Sequence, residues 1–179
     1  MTFGLALSSM VLLLAGISYF GWRKRAYSHW RDTISELGEV ASPQCRRVSY
    51  GLFLPVGLLL VLVAMLADSL PIAGLAACMA TGYSMATFFP CDVGSPVSGS
   101  GRQQMHNVGG AVEYLGGAYW LTQVSPEWIV IHYNLYAVGA ASLLVGSILL
   151  SIPGLPLRGL MQRFMEGILF GSLLLALYE

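Results

Sequence analysis

Six runs of mostly apolar residues fill most of this chain, each about 20 residues long, which is the length an α-helix needs to cross the hydrocarbon core of a bilayer. They extend roughly from Phe3 to Trp22, Val48 to Ala67, Ile72 to Phe89, Met105 to Val124, Trp128 to Ile152 and Leu157 to Leu177. Transmembrane strands alternate in segments of about 10 residues, whereas these runs are longer and apolar on every side. Only ADSLP separates the second and third runs, with Asp68 and Pro71 marking a tight turn, and SPE turns the chain after the fourth. Hydrophobic residue types make up 56% of the 179 residues and charged types 10%, too little polar surface for a soluble globule and too apolar for disorder. The expected fold is therefore all-α: a compact bundle of six transmembrane helices forming a single domain over residues 1–179.

Charge placement orients the bundle. Arg23, Lys24, Arg25, Arg31, Arg46 and Arg47 fall in the first connection, Arg102 in the third, and Arg158 and Arg163 at the fifth. That accounts for all nine basic residues, so the positive-inside rule puts the connections near 23–47, 90–104 and 153–158 in the cytoplasm and both termini outside. The opening run has no basic residue before it and three after it, the order of a retained first helix rather than a signal peptide. Nine acidic residues balance the nine basic ones, which argues against a nucleic-acid surface. Trp22, Trp30 and Trp128 fall near helix ends, as interfacial aromatics do, while Trp120 lies deeper.

The first connection reads SHWRDTISELG from Ser28. A short helix there would put Asp32 and Glu36 on one face, with Asp32 or Thr33 as cap, Ser35 between them and Gly38 at the end. Ile34 and Leu37 would then dip into the membrane interface. In the third connection Pro90 ends a helix, Asp92 follows, and Gly and Ser residues lead to Arg102 and His106. Asp32, Glu36, Asp92, Arg102 and His106 are expected to converge on one membrane-proximal site. Its chemistry suits acid–base catalysis (Asp32, Glu36, Asp92, His106), a divalent cation or a phosphate-bearing headgroup. Ordinary capping and surface charge would account for the same residues.

Glu113 lies inside the fourth run on a stripe with His106, Gly110 and Gly117, widened by Gly109 and Gly116. Ionisable groups at that depth are costly unless paired or facing a cavity. Tyr83, Ser84, Thr87, Tyr133, Asn134 and Tyr136 are candidate partners. A buried structural hydrogen bond and a functional role, as proton relay or floor of a substrate cavity with Ser35 and Arg102, both remain open. His29, His106 and His132 lie at different depths, which suits neither a three-histidine zinc site nor a bis-histidine haem. Cys45, Cys78 and Cys91 lack metal-box spacing. Metal and cofactor are left undetermined. Arg163 and Glu166 are spaced as a local ion pair, Asp68 and Glu127 as outer turn residues, and Gly139, Ser142 and Gly146 as a packing face.

The segment Asp32-Thr33-Ile34-Ser35-Glu36-Leu37-Gly38, followed by Phe89-Pro90 with Asp92 and a Gly/Ser-rich loop leading to His106, resembles the DUF998 family of uncharacterised multi-pass membrane proteins. The resemblance implies a bacterial or archaeal inner-membrane protein whose shared polar residues lie on one side, and it transfers no activity. Three functions fit the sequence. One is a lipid-headgroup-binding protein or small membrane enzyme working at the cytoplasmic leaflet. Another is a proton-coupled transporter using Glu113. The last is a non-catalytic subunit, since glycine-rich faces suit a homo-oligomer or larger membrane complex as well as self-packing.

Overall fold

The computed structural model describes residues 1–124, 134–152 and 154–178. Among these all regular structure is helical, in six rods: α1 (Thr2–Arg23), α2 (Cys45–Leu66), α3 (Leu70–Phe88), α4 (residues 101–123), α5 (Leu135–Leu150) and α6 (Arg158–Tyr178). Helices α1, α2 and α6 are long and apolar enough to cross a membrane; α5 is apolar but shorter over its described residues. Glu127, Trp128, His132 and Tyr133, which carried expectations from the sequence, lie outside the described residues.

Local chemistry sets the ends. Ser69 Oγ accepts the Ile72 amide at the start of α3, with Pro71 in the first turn where its missing N–H costs nothing. Pro90 follows the end of α3 at once. Ser100 Oγ accepts the Gln103 amide at the start of α4, and Asn134 Oδ1 accepts the amides of Tyr136 and Ala137 at the start of α5. Asn134 is thus a cap rather than a partner for Glu113. Two helices each contain one wide π turn. In α2 it covers Ser49–Phe53, just ahead of Pro55, where a wider turn relieves the clash of the proline ring with the preceding carbonyls. In α4 it covers Val112–Gly116. The extra residue in that turn rotates the helix so that the consecutive side chains Glu113 and Tyr114 are both buried.

Each rod packs on its chain neighbours, and α1 closes the ring against α6 while α3 reaches across to α6. The core is filled by Leu13, Leu52, Leu60, Leu75, Met79, Leu143, Leu169 and Phe170. Large apolar side chains also face outward, among them Leu58, Met65, Val145, Ile148 and Phe164, the inverse of a water-soluble surface.

The two ends of the bundle differ. At one end the Phe3 and Tyr178 rings meet at 6.4 Å, so both termini lie together, and Ala67–Ser69 joins α2 to α3 in a short turn. At the other end lie the long first and third connections, the start of α6 and, with them, all nine basic residues. The amides of Gly159 and Leu160, orphaned at the start of α6, donate to the carbonyls of Arg31 and Trp30 at 3.1 and 3.0 Å. Arg163 Nη1 donates to the His29 and Asp32 carbonyls and Nη2 to the Tyr27 hydroxyl. Gly159 makes this docking possible, since a β-carbon there would run into the Asp32 and His29 carbonyl oxygens. Ile34 and Leu37 are 3% and 1% exposed: they are core residues, not interfacial ones, because the first connection is pulled onto the bundle rather than lying along a membrane.

Candidate functional site

The carboxylates at the basic end are held by their own neighbours. Asp32 lies outside the short 3₁₀ turn Ser35–Gly38 and folds back to accept the Ser28 amide at 2.8 Å, and Arg31 Nε at 2.8 Å. Asp32 and Glu36 therefore do not share a helical face. Thr33 and Glu36 form a reciprocal cap instead: Thr33 Oγ1 accepts the Glu36 amide, while Glu36 Oε1 accepts the Thr33 amide and hydroxyl. Asp92 accepts the Ser100 amide and hydroxyl and pairs with Arg102 at 2.9 Å. Lys24 pairs with Glu39 at 2.7 Å and also donates to the Glu36 carbonyl. Glu39 Oε2 accepts the Gly94 amide, which ties the first connection to the third.

Ionisation follows these contacts. Burial opposes the charge on Asp32, but the Arg31 guanidinium and the Ser28 amide outweigh it and hold the carboxyl below its usual range. The Ser100 amide, then Arg102 and the Ser100 hydroxyl, do the same for Asp92. Burial raises Glu36 despite its bonds from Thr33. Burial, then Arg163, lowers His29. Burial pushes the Tyr27 hydroxyl up to about 12, and the Cys91 thiol likewise to about 12 with help from Glu36 and Glu39.

A cavity of about 290 Å³ opens beside this rim, between α4, α5, the start of α6 and the two long connections. His106 and Ser35 line it; Asp32, Glu36, Asp92, Arg102 and Glu113 do not. The expected convergence on one site therefore divides, with the rim carboxylates on one side and the cavity on the other. No carboxylate is among the residues lining the cavity, and Arg158 is their one fixed charge. Arg158 sends Nη1 and Nη2 to the Gly94 and Ser95 carbonyls at 3.1 and 2.9 Å, holding a loop whose residues 94 and 95 both have positive φ. Its Nε is buried without a hydrogen-bond partner. His106 Nδ1 lies 2.9 Å from the Phe89 carbonyl, which can only accept, so Nδ1 carries the proton and Nε2 is left as the ring's acceptor. Polar groups of Thr33, Ser95, Asn107 and Gln162 share the lining with apolar Ala111, Leu115 and Leu150. Gly110 faces this space with nothing within reach of an added β-carbon.

Deeper in the bundle, Glu113 and Glu166 are both buried. Glu166 does not pair with Arg163, whose guanidinium is committed to the first connection. It accepts the Tyr83 hydroxyl at 2.7 Å and the Tyr114 hydroxyl at 2.8 Å. Gln162 Nε2 donates to the Tyr114 oxygen at 3.1 Å, while its Oε1 accepts the Ile34 amide. Glu113 sits against Gly82, where any β-carbon would collide with the carboxylate, and its Oε1 has no hydrogen-bond partner. Thr87, another candidate partner, bonds the carbonyls of Tyr83 and Ser49. Sequence reasoning missed Arg158, Tyr114, Gln162 and the inward role of Glu166. The spacing of Gln162 and Glu166, four apart on an otherwise apolar helix, was the available signal.

A family model described as a protein of unknown function (DUF998) matches residues 7–178, nearly the whole chain. No curated protein and no solved structure matches it.

Proposed function

The chain belongs to the DUF998 family, and we propose that it is a six-span membrane protein, termini outside, whose cavity binds the phosphate-bearing headgroup of an anionic lipid at the cytoplasmic leaflet. The membrane in question is the cytoplasmic membrane of a bacterium or archaeon. The observation that carries this reading is the lining: Arg158 as its one fixed charge, a histidine acceptor, no carboxylate, and an apolar wall of Ala111, Leu115 and Leu150. Guanidinium donors suit phosphate oxygens, and an apolar wall beside them suits the glycerol and the first methylenes of an acyl chain. About 290 Å³ accommodates a headgroup and not the tails, which would leave along the bundle surface into lipid. Orientation is supported by the placement of all nine basic residues at the cavity end, the side that faces the cytoplasm by the positive-inside rule.

Photoactivatable phospholipids with the reactive group near the glycerol test the reading in liposomes. Cross-links from an anionic lipid are expected on Ala111, Leu115 or Leu150, and are expected to be lost in Arg158→Gln. Cross-links scattered around the bundle, insensitive to Arg158→Gln, would contradict it.

A further inference from the structure

The cavity does not use the buried acids, yet it touches them through Tyr114 and Gln162, which line it while bonding inward. No Lys, Arg or His forms an ion pair with Glu113 or Glu166 among the described residues. The groups facing the pair are few. Helix α3 presents Cys78, Gly82 and Tyr83, and α4 presents Tyr114 beside Glu113 itself. The other helices on α6 bring no charge at this depth: Arg23 and the exposed Tyr19 of α1 lie toward the basic end, and Tyr136, the one titratable residue of α5, sits in its opposite first turn. Two anions sharing an apolar interior with no counter-charge would be prohibitively costly, so such pairs carry a proton between them.

Hydrogen bonding says where that proton sits. Both Glu166 oxygens accept tyrosine hydroxyls, and the Tyr114 oxygen is already an acceptor for Gln162, so its hydrogen is free to point at Glu166. Two donors, one on each oxygen, favour the ionised form. Glu113 has no donor on Oε1, and a protonated carboxyl tolerates that where a carboxylate would not.

We propose that Glu113 and Glu166 form a one-proton site buried in the bundle, and that Tyr114 connects it to the cavity. Tyr114 relays in a balanced step. Its hydroxyl gives its proton to a Glu166 oxygen while its own oxygen takes one from a hydronium ion in the cavity, which becomes water; the pair then briefly holds two protons, and the reverse transfers through Tyr114 return it to one. Neither charge nor proton is created within the tyrosine. This proposal requires no lipid, so it stands or falls apart from the headgroup reading.

The test is infrared spectroscopy of the lipid-reconstituted protein. The wild type is expected to show the C=O stretch of a protonated carboxyl at neutral pH. That band disappears in Glu113→Gln, shifts in Glu113→Asp, and also shifts in Glu166→Gln, where the neighbour changes from anion to amide. In Tyr114→Phe the band persists but its shift on transfer to D₂O slows. The proposal is overturned by a wild type without the band, by a band that survives Glu113→Gln, or by one whose frequency ignores Glu166→Gln. If Glu113→Gln does not fold, the wild-type spectrum and Glu166→Gln decide alone. A D₂O shift equally fast in Tyr114→Phe overturns the connection through that residue.

Discussion

The carboxylates at the rim and those in the interior follow opposite rules. Asp32, Glu36, Glu39 and Asp92 each accept hydrogen bonds from a backbone amide or cation a few residues away, or from the facing connection. Among the described residues, Glu113 and Glu166 have two tyrosine hydroxyls between them and no cation. A carboxylate that is fully satisfied by its own loop is a turn-former, and one held unsatisfied in a low-dielectric interior persists only where the surrounding packing enforces it. The rim acids therefore shape the loops that wall the cavity, while the interior acids are the costly ones.

The largest expected break of this contrast is Gly82→Ala. Its methyl group would meet the Glu113 carboxylate, so thermal unfolding in detergent should show a loss of about 1–3 kcal/mol, typical of overpacking. Gly110→Ala, facing open cavity, should leave stability nearly unchanged in the same assay. Equal behaviour of the two would mean that Glu113 is not tightly seated. Next in size is Tyr114→Phe, which removes one donor from Glu166 and leaves the Gln162 amide without its acceptor. A cost of about 1–2 kcal/mol is expected.

Acid should act on the rim. Asp32 and Asp92 are held below the usual carboxylate range, so their contribution is complete above about pH 4 and is lost as pH falls through their lower folded values. His29 is held below the imidazole range, so protonation below about pH 6.5 also works against the fold. Glu36, raised by burial, runs the other way and is relieved by acid. Hydrogen exchange, corrected for intrinsic rates, should loosen residues 24–44 and 89–100 at acid pH before the helices. Uniform loosening would erase the distinction between the regions. Smallest of all is Asp92→Asn: the Arg102 pair is solvent-exposed and worth little, so only local exchange near Ser100 should change.

The helices were legible because a run of apolar residues of bilayer length has few ways to hide its backbone other than as a helix. The Thr33-x-x-Glu36 spacing likewise carries its cap in four residues. The site was harder to read. Asp32, Asp92 and His106 were expected to converge because they share an end of the bundle, but short-range donors claimed both aspartates first. The burial of Tyr114 beside Glu113 depends on the π turn at Val112–Gly116, for which the sequence offers no local signal. Arg163 and Glu166 look like a pair on a lone helix. They part only because the first connection docks on one and the tyrosines of α3 and α4 on the other, contacts made across more than 50 residues of chain.

The central claim is that the cavity, and not the carboxylate rim, is the binding site. Native mass spectrometry of gently purified protein, comparing wild type with Arg158→Gln, His106→Ala and Asp32→Asn, tests it most directly. Retained anionic phospholipid should fall in Arg158→Gln and His106→Ala and persist in Asp32→Asn. Retention that is lost in Asp32→Asn but unchanged in the two cavity variants would contradict the account.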